Sequence, residues 1–97
     1  MVKNQISEEK IQHYFDVTLK AINKVKLAGF DESRIEQALD FLDMAERYFK
    51  DANFFYSKGD IVNAFAAVNY AHGWLDAGAR IGLFKVKDSK LFTVDEE

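Results

Sequence analysis

Residues 45–71, AERYFKDANFFYSKGDIVNAFAAVNYA, decide the fold. Before Lys58-Gly59-Asp60, aromatic residues recur at helical spacing; after it, small residues do. Gly59 is the natural stop of the first pattern, because glycine tolerates the left-handed conformation just past a helix end. Asp60 is the natural cap of the second, its carboxylate accepting from a free backbone N–H of the first turn. So short a connection makes the two helices antiparallel neighbours. The rhythm resembles a tetratricopeptide-type hairpin, but one unit is present and stacking solenoids need about three. Shared helical-hairpin physics accounts for it.

Working outward, the helix before the break spans 33–58. Its main stripe is Ile35, Ala38, Leu39, Leu42, Ala45, Phe49, Ala52 and Tyr56, widened on one flank by Phe41, Tyr48 and Phe55. A helix apolar over so broad an arc has two neighbours, so it is expected in the middle of the domain. Asp31 or Ser33 opens it, and Ser33 with Glu36 fits the S-x-x-E capping box. Asp43 with Arg47, and Glu46 with Lys50, are favourable i,i+4 pairs on its wet side.

An earlier helix spans 8–28, capped by Ser7 with Glu8 and Glu9 in its first turn. Ile11, Tyr14, Phe15, Thr18, Ile22 and Val25 face inward, with Leu19 at the margin. The third helix spans 60–82, and its core face is Ala64, Ala67, Ala71, Trp74, Leu75, Gly78 and Ile81. Small residues there receive the large ones of helix two. Residues 83–97, LFKVKDSKLFTVDEE, change character, with Val86, Leu91, Phe92 and Val94 in a lysine-rich context and Asp88-Ser89 as a turn. They predict a short extended or irregular segment docked by Leu91 and Phe92, frayed over 95–97; a two-stranded hairpin alone would be marginal. The expected fold is all-α: an antiparallel up-down-up three-helix bundle in one domain, with that C-terminal segment.

Composition bounds the function. In 97 residues, 48% apolar and 30% charged, there is one core's worth of hydrophobic material and no signature of disorder. The absence of cysteine excludes disulfides, thiolate metal sites and cysteine nucleophiles. A net charge of −3 with no Lys/Arg run lacks the electrostatic footprint of a nucleic-acid binder. The longest apolar runs, such as 64–68, are too short to span a membrane. The first residues, MVKNQISEEK, lack the apolar core of a signal peptide, so a cytoplasmic protein is expected.

The richest chemistry falls within 69–82, NYAHGWLDAGARIG. Asn69, His72, Asp76 and Arg80 gather within an arc of roughly 80° at about 100° per residue, opposite the core face. Steps of three and four residues let neighbours touch. Asp76 would hold His72 in one tautomer and pair with Arg80, leaving imidazole and guanidinium outward. Phe65 and Val62 continue the row as an apolar floor. Gly73 lies beside it, where a mid-helix glycine costs roughly 1 kcal/mol relative to alanine, a cost that close approach of a ligand or another backbone would explain. The bland alternative is a solvated face with an Asp76–Arg80 pair worth a few tenths of a kcal/mol.

Other chemistries lack parts. His72 and Asp76 supply two metal ligands at i,i+4, but His13 stands with Asp16 and Lys20 on the wet face of helix one and no third ligand is evident. The helical ribonucleases whose motif places Arg before His have the opposite order to His72 and Arg80. No Ser-His-Asp arrangement or glycine-rich phosphate loop occurs, and nothing calls for a cofactor. Phe41, Tyr48 and Phe55 read as core against helix three. Phe54 falls near the polar side of helix two and is the best single candidate for an exposed aromatic. Nine phenylalanines are a heavy load for three helices, and a surplus left exposed would drive association.

The combination FYSKGDIVNAFAAVNYAHGWLDAGARIGLF, followed by LFTV, resembles the archaeal family known as domain of unknown function 357. The resemblance covers nearly the whole chain and is strongest over 55–84. It implies a small helical bundle in an archaeal cytosol, with no established activity and no catalytic residues to carry over.

Two functions remain. The first is a non-catalytic interaction module docking a protein partner, or a second copy, through helix three and adjoining aromatics. The second is a small-molecule or phosphate site, catalytic in one version, with Arg80 gripping an anion and His72 as acid/base. The site candidates are Asn69, His72, Gly73, Asp76, Arg80, Phe54 and Phe65; none is assigned to catalysis or to a metal.

Overall fold

The computed structural model describes residues 6–92. They form α1 (Glu8–Ala28), a short 3-10 turn (Glu32–Arg34), α2 (Ile35–Ser57) and α3 (Ile61–Arg80). No strand occurs among the described residues; an isolated antiparallel bridge joins Phe30 to Phe84. The fold is all-α.

Local chemistry sets most boundaries. Ser7 accepts from the Lys10 amide at 3.1 Å, and Asp60 accepts from the Asn63 amide at 3.2 Å. Gly29 and Gly59 follow α1 and α2 with φ of 89° and 77°, the left-handed region that a Cβ disfavours.

The start of α2 departs from the expected capping box. Arg34 stands at the N-cap with no side-chain cap bond, because the Ser33 hydroxyl is spent on Asp31, 2.7 Å away. Asp31 instead caps the 3-10 turn, also accepting from the Ser33 amide at 3.0 Å and Arg34 Nε at 2.7 Å. The Ser33 hydrogen bond, then the Arg34 guanidinium, hold its carboxyl down at about 2. Arg34 Nη2 also donates to the Ile81 carbonyl at 2.9 Å, tying the start of α2 to the end of α3.

Helix α3, not α2, is the central helix. It packs intimately on α2 and also on α1, whereas the backbones of α1 and α2 rarely approach. Alanines on α3 allow close contact; α1 and α2 meet through longer side chains, as in the edge-to-face Phe15–Phe49 pair at 5.8 Å. The Glu46–Lys50 pair is replaced by Glu46–Lys26 at 2.8 Å, which crosses from α2 to α1, while Asp43–Arg47 forms as the spacing implied. Because α1 stands off from α2, Ile35 and Leu39 of the expected core stripe are exposed.

The core has two lobes that share Phe49. One joins Ile11 and Phe15 to Ala52, Ala64, Ala67 and Val68. The other joins Ala21, Ile22 and Val25 to Leu42, Leu75, Phe84 and Phe92. Phe84 explains Gly78: its ring lies against the helix there, so a Cβ on Gly78 would meet ring carbons Cδ2 and Cζ at 2.7 Å. The Gly78 carbonyl also accepts from the Leu83 amide at 2.8 Å, which seats that turn. Ile81, expected in the core, lies just past the end of α3 and is 52% exposed. Phe92 is buried and Leu91 half-buried against this lobe; 93–97, with Val94 and the expected fray, lie outside the described residues.

Candidate functional site

The row read from 69–82 is divided by the fold into three environments. His72 is turned inward, its side chain 19% exposed. Its Nδ1 lies 3.1 Å from the buried Thr18 hydroxyl of α1, and its Nε2 lies 2.7 Å from the Leu91 carbonyl. The neutral imidazole satisfies both if Nε2–H donates to Leu91 and Nδ1 accepts from Thr18. Asp76 Oδ1 stands 3.6 Å from Nε2, as the i,i+4 spacing implied. His72 thus joins α3 to α1 and to the segment after it, and does not face outward beside Arg80. The spacing placed it correctly on the helix; what it lacked was the segment after α3 that folds back over it.

Asn69 is exposed, its amide donating to the Phe65 carbonyl at 3.0 Å. Phe65 leans toward α1, edge-to-face on Tyr14 at 5.0 Å. Arg80 is exposed and is not in an ion pair with Asp76 among the described residues. It lies instead on a cavity of about 710 Å³ lined also by Lys85 and Lys87. Phe54 is 57% exposed, with Lys58 Nζ 5.6 Å from its ring centroid.

Gly73 belongs to a different surface. With Phe41, Tyr70, Trp74 and Ala77 it lines an apolar groove of about 310 Å³ on the outer side of α2 and α3. A Cβ added at Gly73 would meet nothing within 4 Å, so the glycine relieves no internal crowding. The walls are rings: Phe41 meets Trp74 at 5.0 Å and 90°, and Tyr70 meets Trp74 at 6.2 Å and 85°. Tyr48 braces Tyr70 from behind at 4.4 Å and 85°. Trp74 Nε1 is buried without a hydrogen-bond partner among the described residues. Sequence reasoning took Phe41 and Tyr48 as core and missed that Phe41 lines a groove and that Tyr48 packs on Tyr70 of its wall. The available signal was Gly73 itself, at helical spacing from Tyr70 and Ala77.

Among the described residues, no group of three or more His, Asp or Glu is placed to hold a metal ion, and no helix is long and apolar enough to cross a membrane. A family model described as protein of unknown function (DUF357) matches residues 13–84. No curated protein and no solved structure matches the chain.

Proposed function

The chain belongs to the DUF357 family, and we propose that it is a non-catalytic module that docks a protein partner on the outward face of α3. One observation carries this reading: α3 has an outward face with almost no charge. From Ile61 to Leu75 it holds no Asp, Glu, Lys or Arg, although a surface helix ordinarily turns charged residues to water. Val62 is 73% and Tyr70 52% exposed on it, and Gly73 leaves open the groove that Tyr70 lines with Phe41 of α2. Within that reading the bundle runs antiparallel, up-down-up. Support comes from the Arg34–Ile81 bond at one end, the 58–60 turn at the other, and the packing of early α1 on early α3. An archaeal, cytoplasmic setting belongs to the same proposal and rests on the family resemblance.

The test compares capture by the wild type with capture by Gly73→Leu, whose side chain enters the groove from a Cβ position that has nothing within 4 Å. Phe54→Ala, at a separate exposed aromatic, serves as comparator. A protein retained by the wild type and lost from Gly73→Leu supports the docking face. Equal retention by both counts against it.

A second reading draws on Arg80, Lys85 and Lys87 around their shared cavity, which suits a phosphate-bearing ligand. It ranks below the first because the C-terminus of α3 ends there, and its partial negative charge already calls for cations. Titration with inorganic phosphate, followed by the amide shifts of Arg80 and Lys85, separates the two.

A further inference from the structure

We infer that the groove at Gly73 takes a cationic side chain, the guanidinium or ammonium head of a partner's arginine or lysine, between Phe41, Tyr70 and Trp74. The inference rests on the docking reading above and names what the partner inserts. The walls of the groove are aromatic. Phe41 and Tyr70 each stand nearly perpendicular to Trp74, at 90° and 85°, so three rings in two orientations border one space. An aromatic face is the negative part of the ring quadrupole, and cations bind within about 6 Å of its centroid. Charge around the groove favours a cation. No lining residue is cationic. Asp40, one residue before Phe41 on α2, is exposed and not ion-paired among the described residues, while Arg47, the cation next along that helix, is taken up by Asp43 at 2.8 Å. The chain's net charge of −3 acts in the same direction. The shape of the groove suits a long side chain. Gly73 and Ala77 give a floor without side-chain bulk, and the aliphatic stem of arginine or lysine would lie along it while the head reaches the rings.

The experiment is an NMR titration of the full chain with N-acetyl-arginine amide and with its neutral isostere, N-acetyl-citrulline amide. Trp74 is the single tryptophan, so its indole N–H gives one unambiguous resonance. The expected result is saturable movement of that resonance and of the Gly73 amide with arginine, at least about tenfold weaker with citrulline. Gly73→Leu abolishes the response while its amide spectrum stays folded; Tyr70→Leu weakens it. Equal response to both compounds would overturn the inference in favour of simple apolar contact. Silence to both, or an arginine response that survives Gly73→Leu, would overturn it as well. Should these failures occur while Gly73→Leu still loses the captured partner, the cation assignment falls and the docking face stands.

Discussion

Two glycines five residues apart on α3 are expected to respond to the same substitution with opposite signs. Gly73→Ala adds a methyl that meets nothing within 4 Å. The variant therefore keeps the whole helix-propensity gain of alanine over glycine, about 1 kcal/mol. For a domain of this size that raises Tm by about 4–8 °C. Gly78→Ala gains the same propensity but places its methyl against the Phe84 ring, 2.7 Å from Cδ2 and Cζ. Phe84 is fully buried, so it has to be displaced from a packed lobe. Over-packing costs about 1–3 kcal/mol and loss of a buried phenylalanine about 3–5. A net destabilisation of about 2 kcal/mol is expected. Thermal and urea unfolding followed by far-UV circular dichroism measure both variants against the wild type. A Gly73→Ala protein that melts below the wild type would refute the view that this glycine is costly to the fold. A Gly78→Ala protein that melts above it would remove Phe84 from its seat.

Further outcomes follow from the same contacts. His72→Ala deletes the link from α3 to Thr18 and to the Leu91 carbonyl, and should lower unfolding free energy by about 1–3 kcal/mol; the Phe92 amide should exchange faster with solvent, and unchanged exchange would argue against the link. Asp31 should titrate by NMR with a midpoint near 2, against an ordinary value of about 3.9. Its folded value is the lower one, so its contribution to stability is complete above the unfolded value and is lost as pH falls toward 2. Ser33→Ala should move that midpoint upward, and no movement would mean the hydroxyl does not set it. Phe54→Ala, at an exposed site, should change stability by no more than about 0.5 kcal/mol in a urea melt, a larger loss indicating packing that the fold does not show.

Much of this architecture is legible in the chain. Periodicity and caps located three helices, since Ser7, Asp60, Gly29 and Gly59 act locally and their chemistry does not depend on the rest of the fold. The arrangement of helices was less legible. Apolar width suggested α2 as the centre, but closeness of approach depends on small residues, and those lie on α3. Width counts hydrophobic area; it does not reveal that Ile35 and Leu39 face the side from which α1 stands off. The capping box failed for a related reason: Asp31, two residues before Ser33, competes for its hydroxyl.

The site was legible as residues more than as a surface. Helical angles put Asn69, His72, Asp76 and Arg80 on one side of α3, but they do not show what covers that side. Residues after Gly82 return to give His72 a carbonyl partner at Leu91, which separates the imidazole from Arg80. Gly73, by contrast, was anomalous in the sequence because its cost was unexplained, and in the fold it still serves no internal contact. A residue that the fold does not need is the better pointer to function.

The most direct test is oxidative labelling of the exposed aromatics in the free protein and in the complex with its captured partner. Tyr70 should lose most of its labelling in the complex while Phe54 keeps its own, because Tyr70 lines the groove of the proposed docking face and Phe54 does not. Unchanged labelling of Tyr70 in a saturated complex would contradict the central claim and move the interface elsewhere on the bundle.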